Sequence, residues 1–489
     1  MQYDKQTPTT ELTGDMLTCE VLVAISKGQM HASLSEAATQ RIAESRKHVD
    51  KIVNERRPAY GITTGVGSQK DHQIDMEAVA LYNRRLVKGH ATRVPGPSYD
   101  PSIVRGALVV LLNGFAKGGS GVTPELTKIL KQKISASEMP TIDASGSVSA
   151  SDLVPLAQTA DWLLSSEDAE SAGLPKAKET LSLINWNAFT LSEGAQHITE
   201  LLRLLDVYTL ALATTYEGFR SNLDAIAEPV NALHRRGGQS KVAADLRAHL
   251  KGSALWQSGA SRFLQDPLSF RTASQIHGAT FECFKSLESV WNSELNTVND
   301  NPIIDRADGR AYSHGNMDTT RFTLALDTAR QALAKVVDVS GERIHKQQWP
   351  VFSGLPIGLS EEDSATGGVQ FLNLGHISSS LITSVKIWAT PHLLNSVGQV
   401  ADGVEDTASH AMHAVHDLKR QLDASWKIAA LEMLVAVWAI HRRKLPLDEL
   451  GKDVREVYQT LLPLLPIGHE GDAVFDLAEV IAAVKAIRV

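Results

Sequence analysis

The chain has 489 residues, 43% of them hydrophobic and 21% charged, an ordinary globular balance with ample length for a large core. A formal net charge of −8 and the lack of a long basic block argue against nucleic acid or an anionic membrane surface as partner. Two cysteines, Cys19 and Cys283, form neither a CxxC nor a disulfide framework, and the first five residues are polar with no apolar signal core, so a reducing, cytoplasmic setting is expected.

In chain order, apolar residues at helical spacing with interleaved charge predict a helix over 34–55. The apolar run 107–115 is too short to span a membrane, and no segment has the uninterrupted apolar length a span requires. Long helices are predicted over 197–227, 281–295, 319–339, 368–388 and 428–440. Helices of this length bury more than one face and imply an all-α, long-helix bundle. No fixed-period repeat and no low-complexity linker interrupt the pattern. The expected organisation is a mostly helical N-terminal part (1–195) leading without a break into a central bundle and C-terminal helices (196–489). Gly and Pro cluster at 60–67, 94–99, 141–148, 300–315 and 353–358, which mark the loops and therefore the places to look for chemistry.

Six segments carry unusual polar residues. Tyr60-Gly61-Ile62-Thr63-Thr64-Gly65-Val66-Gly67 is a Gly-rich turn without the Lys-Ser/Thr of a phosphate loop, so no nucleotide is expected. Gly146-Ser147-Val148-Ser149-Ala150-Ser151-Asp152-Leu153-Val154-Pro155-Leu156 runs small residues into Asp152, a good helix N-cap, with Pro155 in the first turn. Lys178-Glu179-Thr180-Leu181-Ser182-Leu183-Ile184 ends on Asn185. Gln265-Asp266-Pro267-Leu268-Ser269-Phe270-Arg271 sets a guanidinium beside an amide and a carboxylate, suited to a substrate carboxylate or to a structural ion pair. Glu294-Leu295-Asn296-Thr297-Val298-Asn299-Asp300-Asn301-Pro302 is the fifth. The sixth is Glu405-Asp406, followed by His410, His413 and His416; two histidines at i, i+3 could ligate a metal, but a third ligand with a defined carboxylate partner is missing, and no metal is expected.

Together and in this order, these motifs resemble the ammonia-lyases and aminomutases acting on histidine, phenylalanine and tyrosine, from about Leu12 to the helix after Glu405. The resemblance implies an all-helical homotetramer with composite active sites from several subunits. It also implies an electrophile, 4-methylideneimidazol-5-one (MIO), made by cyclisation of an internal Ala-Ser-Gly triad, and elimination or 2,3-migration of an α-amino group. On this pattern Tyr60 is the base and Arg271 pairs with the substrate carboxylate. Asn185, Gln265 and Asn301 orient electrophile and substrate, and Glu405 lies near the amine or side chain. Ala150, Ser151 and Asp152 stand at the triad. His90, in Gly89-His90-Ala91, matches the histidine-specific members and favours an imidazole or other polar side chain. Leu268 and Met317 stand where the family has a Tyr and a Phe.

The departures fall on the chemistry. The signature is one residue short, so Ala150-Ser151 is followed by Asp152 and not by Gly. Three registers follow. Ala150-Ser151-Asp152 cyclises, or Ser149-Ala150-Ser151 fills the triad with no central hydroxyl to eliminate, or Ala144-Ser145-Gly146 cyclises upstream. Trp186 replaces a Gly after Asn185 and is expected to crowd the pocket. These departures keep open an enzyme using Tyr60 without MIO, or a non-catalytic tetramer.

Overall fold

The computed structural model describes residues 7–234, 237–360, 369–396, 398–465 and 475–488. It is predominantly helical. The predicted 34–55 helix is Glu36–Asn54, started by Ser35, whose hydroxyl accepts from Ala38 N. Its Ile42, Val49 and Ile52 form the buried stripe. The apolar run at 107–115 lies in the helix Pro101–Ala116, capped by Asp100 and buried from Ile103 to Ala116.

The long helices are Ala188–Phe219, Ala273–Glu294, Thr320–Gln348, Val369–Ile387 and Ala411–Arg442. Most run longer than the apolar periodicity predicts. Ala188–Phe219 starts nine residues before the expected 197, and Ala411–Arg442 starts well before 428. Gly368, the expected start of another, lies outside the described residues. Ala411–Arg442 is apolar and long enough to cross a membrane, in contrast to the sequence expectation, but it is a core helix with 89% of its most apolar window buried inside the protein. All-α is also slightly too strict. Thr9–Leu12 pairs in parallel with His31–Leu34, and Ile303–Ile304 pairs antiparallel with Ala311–Tyr312.

The chain divides into two compact units. Unit 1 comprises 1–199, 287–326 and 391–415, and unit 2 comprises 200–286, 327–390 and 416–489. Unit 1 packs by pairing large rings with missing side chains. The Trp186 ring lies where a Cβ on Gly114 would come within 2.1 Å, and the Trp291 ring fills the same kind of gap at Gly194. Trp186 is 1% exposed and meets Phe115 edge to face, so it is a core residue and does not crowd a pocket as expected. Unit 2 has its own apolar core, in which Phe219 and Phe270 rings lie 4.2 Å apart beside Tyr216, Leu246 and Leu450.

Candidate active site

Unit 1 collects nine of the residues singled out from sequence: Tyr60, His90, Ala150, Ser151, Asp152, Asn185, Asn301, Met317 and Glu405. The Tyr60 loop is stiff. Thr63 Oγ1 donates to Arg57 O at 2.6 Å and accepts from Ala59 N at 2.8 Å, while Gly65 N donates to His72 O and Ile74 N to Thr63 O. Gly61, at φ +62°, is required twice over, because a Cβ there would meet Leu181 at 2.2 Å. The phenol oxygen of Tyr60 accepts from Gly67 N at 3.0 Å. The turn that follows, Gly67–Gln69, packs against Ala401–Gly403, the tip of a hairpin closed by Val400 and Glu405. Glu405, half-buried, is thereby brought beside the Tyr60 loop.

Leu181 belongs to the short helix Glu179–Ile184, which ends at Asn185. Asn185 Nδ2 lies 3.5 Å from Asn301 O. Their segments are joined by a fully buried ion pair, Lys178 Nζ to Asp300 Oδ2 at 2.6 Å, with Ser182 and Ser120 hydroxyls completing the Asp300 shell. Burial lowers the Lys178 pKa and Asp300 raises it in part compensation. Asn301 Oδ1 accepts from His314 N, and Met317 O accepts from Asn187 Nδ2. His90, the last residue of Val79–His90, donates from Nδ1 to Leu86 O at 2.8 Å, which in the neutral ring leaves Nε2 as an acceptor.

The signature loop is where structure revises the sequence reading most. Asp152 does occupy the N-cap position of Leu153–Leu164, but its side chain makes no bond to that helix. Its carboxylate instead accepts from Thr190 N and Thr190 Oγ1, both at 2.8 Å, and from Ser147 Oγ at 2.9 Å. It therefore caps Ala188–Phe219. Complete burial pushes its pKa up to about 6, against the pull of these hydrogen bonds. Ser149, at φ +74°, does the equivalent for Ala411–Arg442, its hydroxyl accepting from Met412 N at 3.0 Å. Thr319, just before Thr320–Gln348, donates to Ser149 O. The N-terminal ends of three long helices thus meet residues 149–152, and two of them are already satisfied by the chain's own side chains.

The two registers that use the capped residues 149–152 do not suit MIO. Counted back from Asp152, the residue before Leu153–Leu164, the triad position falls on Ser149-Ala150-Ser151, whose central methyl has no hydroxyl to lose. In the Ala150-Ser151-Asp152 register the attacking nitrogen would be Asp152 N, which donates to Trp186 O at 2.7 Å on a residue with no exposed surface. The Ala144-Ser145-Gly146 register lies upstream of these caps, in a stretch tied at Ile142 O by Tyr99 N and at Ala144 N by Pro97 O, with Gly146 at φ +86°.

Gln265, Leu268 and Arg271 belong to unit 2. Leu268–Arg271 is a single helical turn supported from below. Tyr216 OH donates to Phe270 O at 2.8 Å and Arg343 Nη1 to Ser269 O at 3.0 Å, and Arg343 is itself buried against Glu432. The Gln265 amide oxygen faces the Arg271 guanidinium, accepting from Nη2 at 2.8 Å. They line a cavity of about 410 Å³ with Asn222, Asp224, Asp266 and Gln275. Burial raises the Asp266 pKa to about 6. Arg271 is exposed, and Leu268 is 60% exposed. His410 and His413 rings lie 5.7 Å apart, and among the described residues no three metal-ligating side chains gather. Sequence reasoning missed Thr190 and the capping roles of Ser147 and Ser149; the partners of Thr190 and Ser149 are remote in the chain, whereas Ser147 bonds Asp152 five residues on.

Residues 17–462 match the family model described as aromatic amino acid lyase. The histidine ammonia-lyase of Stigmatella aurantiaca is 30% identical, covering 98% of this chain and 96% of that protein. Ergothionase from Treponema denticola, an ergothioneine-degrading enzyme, superposes with a TM-score of 0.90 at 26% identity over 98% of this chain and 99% of that one. Histidine ammonia-lyase from Trypanosoma cruzi superposes with a TM-score of 0.84 at 26% identity, over 97% and 92%.

Proposed function

Because the chain belongs to the aromatic amino acid lyase family, and is thus a carbon–nitrogen lyase, we propose that it eliminates the α-nitrogen from a histidine-like amino acid using Tyr60 as base and without MIO. The observation that carries this reading is the Tyr60 oxygen held by the Gly67 N–H in a braced loop, which fixes the place of a base. The phenolate takes the β-proton. The electrons of that C–H bond become the Cα=Cβ bond, and the Cα–N pair leaves with nitrogen as a neutral amine.

Arg271 and Gln265 bind the substrate carboxylate, a bidentate geometry that a guanidinium provides and a lysine does not. Asn185 and Asn301 orient the reacting carbons, and Glu405 faces the departing nitrogen. His90 Nε2 accepts from an imidazole N–H of the substrate and Met317 packs on its ring, which is why a histidine-like side chain is favoured. Leu268, exposed beside Arg271, covers the apolar side of the same substrate. The exposure of Gln265, Leu268 and Arg271 supports a homotetramer in which these residues complete a neighbouring copy's site.

The test is turnover of histidine, phenylalanine and tyrosine, each also as its α-N-methylated forms, followed by the absorbance of the conjugated acid. Tyr60→Phe is expected to lower kcat by about 10²- to 10⁴-fold with no loss of folding. An intact mass short of two waters in the 144–152 peptide would refute the MIO-free step. A β-amino acid product would identify migration in place of release. No turnover, with ligand binding indifferent to Tyr60→Phe, would leave a non-catalytic homologue.

A further inference from the structure

We propose that Tyr82 is a positioning residue for Tyr60, a buried hydroxyl that stays protonated and donates to the Tyr60 oxygen, directly or through one water, once that oxygen has lost its proton. The inference rests on the reading of Tyr60 as base.

Tyr82 lies in the first turns of Val79–His90, within unit 1. Its hydroxyl oxygen is buried near the Val66 amide, and no acceptor for its proton is found among the described residues. Native proteins leave few buried polar atoms unmatched, and those they leave tend to await a water, a ligand or a reacting group. The side chain lines a cavity of about 260 Å³ with Gly65 of the Tyr60 loop, with His72, Gln73 and Ile74, which pair back onto that loop, and with Arg85. The Tyr60 oxygen itself has one donor, the Gly67 amide, and a phenolate oxygen has room for at least one more.

The electrostatics run in the required direction. Burial, first, and the charge of Tyr60, second, raise the Tyr82 pKa, while the Val66 amide pulls it partly back. The adjacent amides of Val66 and Gly67 thus act on the two phenols, one each. Tyr82, its pKa raised, keeps its proton and so can serve as an O–H donor. A neutral phenol within reach of a phenolate stabilises it by donating that O–H.

The experiment uses the full chain carrying ¹³Cζ-tyrosine, with the Tyr60 resonance assigned by its loss in Tyr60→Phe. In Tyr82→Phe the Tyr60 titration is expected to move up by about one pH unit, and the acid limb of kcat/KM to move with it, a loss of about tenfold at neutral pH with KM little changed. Because the O–H finds no acceptor in the resting fold, Tm should change little. A Tyr60 titration unmoved by Tyr82→Phe overturns the proposal, as does a lowered Tm with no titration shift, the mark of a purely structural hydroxyl. The titration needs no substrate, so it reads Tyr82 even if turnover proves insensitive to Tyr60→Phe, which would overturn the base assignment instead.

Discussion

The two units hold their site residues by the same device and present them differently. In unit 1 the buried pair Lys178–Asp300 ties the segment ending at Asn185 to the segment carrying Asn301. In unit 2 the buried pair Arg343–Glu432, with Ser340 and Thr215 hydroxyls on the carboxylate, supports the turn ending at Arg271. Unit 1 turns its polar side chains inward, where Tyr60, His90, Asn185 and Asn301 are half-buried. Unit 2 leaves Gln265 and Arg271 in the open, with Leu264 at 95% exposure beside them. The charged groups that fix each segment are thus not the side chains proposed to meet substrate, and an exposed turn can be as well anchored as a half-buried one.

Removing one partner of either pair should give the largest effect. Lys178→Met or Arg343→Met strands a carboxylate with no exposed surface, at a cost of about 3–5 kcal/mol. Denaturant midpoints should fall in both variants. If Arg343→Met leaves the midpoint unchanged while Lys178→Met lowers it, the parallel between the units is wrong and the Arg271 turn is held by Tyr216 and Phe270 alone.

The sequence pointed to the motifs that carry Lys178 and Asp300 but not to their pairing, and to no motif that carries Arg343 or Glu432. Lys178 and Asp300 are 122 positions apart, and only a fold decides which buried charges meet. Helix bodies were legible from apolar period; two helix starts were not. Ala188–Phe219 has no apolar stripe to announce its first turn, and its cap comes from Asp152, 38 residues upstream. The cap of Ala411–Arg442 comes from Ser149, 263 residues away. Trp186 read as an intruder because Gly114, the residue that makes room for it, is remote in sequence. Tyr60, Asn185 and Arg271 could be singled out because their chemistry is local to a short motif, whereas Ser147 and Ser149 look like any small loop residues.

Asp152 and Asp266 sharpen the comparison at the next scale down. Both carboxyls are raised from 3.8 to about 6, chiefly by burial, one in each unit. A carboxyl with a raised folded pKa holds its proton more tightly folded than unfolded. Its contribution is therefore fully present below 3.8 and is lost as pH rises through about 6. For Asp152, with no exposed surface, the swing amounts to roughly 3 kcal/mol, and Asp152→Asn should flatten stability between those limits. Asp266→Asn should flatten it less, because that carboxyl is only partly desolvated. Equal slopes in wild type and Asp152→Asn would mean that hydrogen bonds from Thr190 and Ser147 outweigh burial.

The smallest expected effect is the one that decides how unit 2 is used. Leu268 is 60% exposed, so in the isolated chain Leu268→Ser should change stability by no more than about 0.5 kcal/mol. Exposed Leu264 and Val230 line the cavity beside Arg271, and exposed Leu268 lies on the same turn, an apolar surface that a lone chain has no reason to keep. If a second copy covers it, Leu268→Ser combined with Leu264→Ser should leave the melting of dilute chain untouched, yet shift mass in analytical ultracentrifugation toward smaller species and lower turnover in parallel. Unchanged mass and unchanged turnover would place Arg271 outside any shared site. The carboxylate would then have to be held by unit 1 alone, and the proposed division of labour between a half-buried base and an exposed clamp would fail at its most accessible point.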